Sequence, residues 1–197
     1  MRLVIPRGGE NHPSIYEQGI RIIMDKQLDF YEVSADYIDY LHKFDSKVPL
    51  VDYSKTSKHD KFMCGIVLSV NGYDYFAPIS SFAVQQRTNM VIKNEKGKPI
   101  SSIRFSFMIP IPQGVATPKS IKNEPSPEYR RLLDLELRFC RRNEKAIRRM
   151  AKHIHNSVVN IKDPIMVKNC CDFDKLETAC ANYNVPNEDV GDNKNDN

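Results

Sequence analysis

The chain has 197 residues, 41% of them hydrophobic and 27% charged, an ordinary composition for one globular domain with a buried core. It has no run of 18 apolar residues, and its five cysteines (64, 140, 170, 171, 180) lack CxxC spacing, with two of them adjacent. A membrane-spanning helix is therefore excluded, a secreted disulfide framework is disfavoured, and a reduced, cytoplasmic setting is expected.

Charge is distributed unevenly. The formal total is +4, yet residues 130–152 hold nine Lys and Arg against three acids, so the rest of the chain sums to −2. Such a focused field suits a polyanion, most simply nucleic acid.

In chain order, residues 1–27 read as a poorly structured extension, broken by Pro6, Gly8, Gly9, Pro13 and Gly19. Their opening apolar run is too short for a signal peptide, and Met24 is an alternative native start. Residues 28–33 alternate as a strand. Ser34 then caps a helix over 35–44, with Tyr37, Tyr40, Leu41 and Phe44 on one face. After a polar loop over 47–61, the apolar runs 62–70 and 73–79 flank Asn71-Gly72, the dipeptide of a type I′ hairpin turn. A second hairpin is predicted from 90–93 and 102–109, turning at Glu95-Lys96-Gly97-Lys98.

Pro110, Pro112, Pro118, Pro125 and Pro127 mark a long connection into the basic helix. There, Arg138, Arg142, Lys145, Arg149 and Lys152 follow each other at i+4, i+3, i+4, i+3. Leu133, Leu137, Cys140, Ile147, Ala151, Ile154 and Val158 keep the same rhythm on another face. The acids are too few to pair these bases, which implies contact with nucleic acid or phosphate. A shorter helix over 172–183 precedes a polar acidic tail, 184–197. Strands early and helices late predict an α+β domain over 28–183, a small curved antiparallel sheet with helices packed on it.

No Walker loop, GxGxxG, nucleophile elbow or metal motif occurs, and no cofactor or metal is expected; Cys170, Cys171 and Cys180 with His153 or His155 are poorly spaced for zinc. The feature with chemical content is Ser80-Ser81, directly after a strand ending Phe76-Ala77-Pro78-Ile79. Two hydroxyls and backbone N–H groups freed at a strand end are able to bind an anion, although serines there are more often turn residues. His42 and His59 are candidates for acid–base work, and His153 and His155 for extending the basic face toward RNA. Cys64 reads as core, Tyr31 and Tyr40 as half-buried packing residues, and Tyr31 also as a candidate RNA contact.

An ordered set of segments carries a family resemblance. It runs from Phe30-Tyr31, Ser34, Tyr37-Ile38, Tyr40-Leu41, Phe44-Asp45 and Lys47-Val48-Pro49 through Gly65-Ile66-Val67-Leu68 and residues 75–81. It continues in Phe107-Met108-Ile109-Pro110-Ile111 and Tyr129-Arg130-Arg131-Leu132-Leu133, then Cys171-Asp172-Phe173 with Leu176. Over roughly 28–183 the chain resembles the ToxN/AbiQ toxins of type III toxin–antitoxin systems.

The resemblance implies a metal-independent endoribonuclease on an SH3-barrel-like fold with added helices, related to the Kid/MazF toxins. It also implies a repeat RNA antitoxin that the toxin binds and processes within a closed RNA–protein assembly, in a setting of growth arrest and abortive phage infection. Tyr37, Lys61, Ser80 and Ser81 fall on its catalytic positions, with Ser80 where the family has Thr. The basic residues Arg138, Arg141, Arg142, Lys145, Arg149 and Lys152, with Tyr31, would bind RNA. The family pattern follows the hydroxyl pair with Pro and Lys. Here Phe82 and Ala83 stand instead, so either Lys61 suffices as the phosphate-binding cation, Arg87 or another base substitutes, or the activity is weakened. A non-catalytic RNA- or DNA-binding regulator using the same basic face is the alternative that this departure favours.

Overall fold

The computed structural model describes residues 28–50 and 64–185; expectations for residues 1–27, His59, Lys61 and 186–197 fall outside them. Strands β2 (Cys64–Val70) and β3 (Tyr73–Ser80) form the expected hairpin, paired from Gly65↔Pro78 to Val70↔Tyr73. Asn71 (φ 50°) and Gly72 (φ 89°) fill its two-residue turn in the left-handed region that a type I′ turn requires. Gly65 is needed for space: a Cβ there would collide with the carbonyl oxygen of Ala77 on the paired strand. β1 (Phe30–Val33) joins the other edge of β2 and in turn pairs with β7 (Ala116–Pro118).

The second hairpin, β4 (Asn89–Lys93) and β5 (Pro99–Arg104), turns through Gly97 at φ 75°. The strand expected over 102–109 is not continuous. It stops at Arg104, passes through a 3-10 turn (Phe105–Phe107) and resumes as β6 (Ile109–Pro110). β3 explains the break. Its free edge takes β5 at Ile79 and Ser80 but β6 at Tyr75 and Phe76, so the chain must step from one half of that edge to the other. The resulting seven-stranded antiparallel sheet runs β4-β5-β3-β2-β1-β7, with β6 beside β3. Residues 75–80 of β3 are buried without alternation, as befits a central strand covered on both faces.

Helix α1 (Ala35–His42) starts as expected, with the Ser34 hydroxyl accepting from the Tyr37 N–H at 3.2 Å. The basic segment departs from expectation. Instead of one helix it forms α2 (Pro127–Arg142) and α3 (Glu144–Val159), separated at Asn143, whose φ of −108° and ψ of 15° leave helical geometry. Asn143 donates from both its backbone and side-chain amides to the Phe139 carbonyl and so closes α2. Its short polar side chain competes with helix continuation in a way the i, i+4 pattern does not register. Ser126 as N-cap and Pro127 at the first turn start α2 earlier than the basic run suggests. A short helix α4 (Pro164–Asn169), capped by Asp163, was not anticipated; α5 (Phe173–Ala181) was, with Asp172 as its cap.

The helices bury Leu133, Leu137, Ile147, Ile154, Phe173 and Leu176 into one core with the sheet. Polar ties fix their docking. His155 is 2% exposed and stacks on Phe173, with Nε2 2.8 Å from Glu177 and Nδ1 3.2 Å from the Asn71 amide, while Tyr75 also donates to Glu177. His155 thus clasps α3 and α5 to the hairpin tip, correcting its assignment to the RNA-facing surface; His153 is exposed. Lys47 donates to the Val167 and Cys170 carbonyls, and Asp45 accepts from the Asp172 N–H, binding the loop after α1 to α4 and α5.

Candidate active site and nucleic-acid face

Ser80 ends β3 and pairs with Ser102 of β5; Ser81 follows at the bend where the strand stops. Both line a solvent-open cleft with Cys64, Ile79, Ile100 and Ser101 from the sheet and Tyr129, Leu132, Leu133 and Glu136 from α2. The space between its walls amounts to about 310 Å³, part of it open solvent, so it is a shallow groove and not an enclosed cavity. Ser81 is exposed and Ser80 is 6% exposed. The Ser80 oxygen accepts from the Phe82 N–H at 3.1 Å, which leaves its own O–H to donate elsewhere. That same bond occupies one of the N–H groups expected to be free for an anion. The Ser102 hydroxyl donates to the Phe82 carbonyl, so Phe82 is held through both its backbone groups.

The cleft walls bring in groups the sequence reading did not single out. Ser101 is 1% exposed, and its hydroxyl has no hydrogen-bond partner among the described residues. Burial raises the Tyr129 phenol above its ordinary value, keeping it a neutral donor. Glu136, 4% exposed, sits among Leu133, Leu137 and Cys140 on the apolar side of α2; an acid on that face was the available signal. Burial pushes the Cys64 thiol up to about 12, so the sulfur in this cleft is a neutral packing group, as its place in an apolar strand suggested.

On the outer face of α2 and α3, Arg138, Arg142, Lys145, Arg149 and Lys152 are all exposed and join none of the ion pairs found among the described residues. Three other cations have local work. Arg148 pairs with Glu144 at 2.7 Å, and Arg130 donates twice to the Glu124 carbonyl. Arg141 is directed toward the start of β1, donating to the Leu28 carbonyl at 2.9 Å and lying 3.5 Å from Asp29.

Against known proteins, residues 29–181 match the family model described as toxin ToxN of the type III toxin–antitoxin system. The chain belongs to the ToxN toxin family. It is 31% identical to the endoribonuclease ToxN of Pectobacterium atrosepticum, over 83% of this chain and 98% of that one. It is 30% identical to the endoribonuclease ToxN of Bacillus thuringiensis subsp. kurstaki, over 78% of this chain and 83% of that one. Among solved structures it resembles, at a TM-score of 0.70 and 26% identity, a chain from work on bacterial type III systems and selective toxin inhibition by a non-coding RNA pseudoknot. That match covers 79% of this chain and 97% of the other.

Within this ToxN-family chain the expected catalytic residues do not all meet. Ser80 and Ser81 share the cleft, whereas Tyr37 is not among its lining residues. Tyr37 is 0% exposed, packs against Tyr40 and Tyr183, and donates its hydroxyl to the Pro110 carbonyl at 2.7 Å. Its expected contact with phosphate or base does not fit this placement; here it fastens α1 to β6. Burial also holds its phenol well above the ordinary range. Tyr31 is half-buried on β1 between Gly65 and Pro118, and Tyr40 is half-buried with its hydroxyl on the Ala179 carbonyl. His42 turns Nδ1 to the Val48 carbonyl at 2.7 Å. Among the described residues no three His, Cys, Asp or Glu side chains are grouped to hold a metal, including the cysteines weighed for zinc.

Proposed function

We propose that this chain is the endoribonuclease toxin of a type III toxin–antitoxin system and that it cuts RNA in the cleft where Ser80 and Ser81 face α2. The carrying observation is a vicinal hydroxyl pair at a solvent-open cleft in a chain whose relatives are named endoribonucleases. The ribose 2′-OH attacks the adjacent phosphorus in line, its proton passing to solvent water in the open cleft. A bond from O2′ to phosphorus forms, the bond to O5′ breaks, and the products are a 2′,3′-cyclic phosphate and a 5′-OH.

Three services are needed: proton removal, stabilisation of the phosphorane, and protonation of the leaving oxygen. Ser81, exposed, hydrogen-bonds the attacking hydroxyl or the phosphate. Ser80, its oxygen already accepting from Phe82, donates to a non-bridging oxygen. Lys61 supplies positive charge and a proton. It precedes the cleft residue Cys64 by three positions, a span of at most ~11 Å of chain. A hydroxyl is a weak base at neutral pH, so alignment is the main contribution, able to supply on the order of 7–11 kcal/mol. The scheme uses no metal.

The exposed cations of α2 and α3 form the surface for a structured repeat RNA antitoxin, which occupies the cleft and is processed there within a closed RNA–protein assembly. Inhibition of a relative by an RNA pseudoknot supports this reading. So does the dependence of RNA affinity on cations that release counterions. The toxin domain spans 28–183, flanked by an extension over 1–27 and an acidic tail over 184–197. Its sheet is a variant of the SH3-like barrel of Kid/MazF toxins, a reading supported by β3 sharing one edge between β5 and β6. The protein acts in the cytoplasm, arresting growth and aborting phage infection; no helix of the described residues is long and apolar enough to cross a membrane.

Purified Ser81→Ala and Lys61→Ala proteins should each cut a long RNA at least ~100-fold more slowly than the parent while still shifting it on a gel. Unimpaired cutting by both removes the cleft from the mechanism. A shift without cutting by the parent itself supports the non-catalytic binder, the reading that Ala83 favours.

A further inference from the structure

Arg104, the last residue of β5, has an environment that the reaction scheme does not use. Its guanidinium packs against two aromatic rings, 4.7 Å from the centroid of Phe82 and 4.8 Å from that of Phe107. Its Nε is buried and has no hydrogen-bond partner among the described residues, and the side chain enters none of the ion pairs found there. A cation with an unanswered buried N–H is costly to maintain, and it gains most from an oxyanion.

The position of this group is fixed relative to the hydroxyl pair. Ser80 pairs with Ser102, and Arg104 lies two residues along the same strand, hence on the same face as Ser102 and diagonal to Ser80. This is the sheet face opposite Ile79 and Ser101, so Arg104 stands outside the cleft, across the strand end from it. Diagonal neighbours in an antiparallel pair stand ~7–8 Å apart, within reach of an arginine side chain. The Phe82 wall is itself anchored to both strands, its N–H on the Ser80 oxygen and its carbonyl on the Ser102 hydroxyl. One small network therefore sets the positions of the guanidinium, of Phe82 and of the strand end that carries Ser80 and Ser81.

We propose that Arg104 is an RNA-phosphate contact, holding a backbone phosphate of the substrate strand where that strand leaves the cleft over the end of β3. The inference rests on the nuclease reading for the identity of that strand. Two rings already pack against the guanidinium; what it offers is its edge of N–H donors, which matches non-bridging oxygens. Phe82 and Phe107 hold the fork rigid, so a flexible lysine at this position would keep the charge but lose the paired geometry. Burial lowers the Arg104 pKa from its ordinary value, yet an arginine remains charged at neutral pH.

The test uses the full chain with a long RNA. In a Ser81→Ala background, which stops turnover, RNA affinity is measured across a salt series for Arg104→Gln, Arg104→Lys and Phe82→Ala, with circular dichroism melts as the folding control. With Ser81 intact, kcat/KM is measured for the same three. Arg104→Gln should lose roughly tenfold or more in affinity and in kcat/KM, and the salt slope should shrink by about 0.7, the value of one phosphate contact on a single strand. Arg104→Lys should keep the slope and lose part of the affinity. Phe82→Ala, at a position 37% exposed, should weaken binding with the slope retained.

A folded Arg104→Gln protein with unchanged slope and kcat/KM overturns the proposal. So does one that relaxes base preference at constant slope, which would mean that the edge reads guanine. If Arg104→Gln does not fold, Arg104→Lys and Phe82→Ala decide, and parental affinity in both overturns it. Failure of the parent to cut RNA would sink the nuclease reading instead, and an Arg104-dependent salt slope would survive that result.

Discussion

Ser80, Ser81 and Tyr37 were expected to act together, and they have different fates. The serines sit where a central strand runs out of partners, so one hydroxyl is held in the turn and the other is presented to solvent. Tyr37 lies on the helix face that the spacing with Tyr40 and Leu41 marks as buried, and the fold uses its hydroxyl to satisfy a carbonyl in β6. Tyr37→Phe should therefore lower stability by about 1 kcal/mol, the worth of one buried hydrogen bond, and leave RNA cutting by the folded protein close to the parental rate. Urea unfolding and initial cleavage rates together check this. A ~100-fold loss of cutting at parental stability would return Tyr37 to the catalytic group.

At the level of elements, the division of the basic segment at Asn143 decides which cations face outward. Arg138 and Arg142 end one helix while Lys145, Arg149 and Lys152 belong to the next, yet all five remain exposed. Replacing Arg138, Arg142 and Arg149 together by Gln should reduce the salt slope of RNA binding by about 2, three contacts at ~0.7 each. Arg141→Gln should leave that slope unchanged and cost under ~1 kcal/mol of stability, because its partners are Leu28 and Asp29 rather than RNA. An Arg141-dependent slope would place that side chain on the RNA face. Patterning made the apolar and cationic faces legible from the sequence, and Asn71-Gly72 gave away its hairpin. The break after Arg142 and the step from β5 to β6 were not legible. The first depends on one asparagine amide reaching Phe139, and the second on two strands sharing an edge of β3, which local periodicity does not encode. For the same reason Arg104 and Glu136 were passed over: their importance lies in what tertiary packing sets beside them. Asp45 and Lys47 carried the family resemblance and serve as ties to α4 and α5.

At the scale of the whole molecule, all five cysteines are free and buried, and burial raises every one of their thiols, Cys64 to about 12 and Cys170 to about 11. The sign of the linkage follows. Once the unfolded chain loses its thiol protons, above the ordinary value of 9.0, the folded chain binds more protons, so stability falls as pH rises. Each thiol contributes a slope of about 1.4 kcal/mol per pH unit between its unfolded and folded values. Urea midpoints followed by circular dichroism, the chain having no tryptophan, should hold steady from pH 7 to 8 and drop steeply between 9 and 11. A flat profile to pH 11 would contradict the burial of these groups. The same core presents Ser80 and Ser81 at a strand-end cleft with α2, and the functional account depends on that cleft doing ribose-directed chemistry. The most direct test is end-group analysis of RNA cut by the full chain in EDTA: 2′,3′-cyclic phosphate and 5′-OH termini, absent with Ser81→Ala, are predicted, whereas 5′-phosphate termini or cutting abolished by EDTA would contradict it.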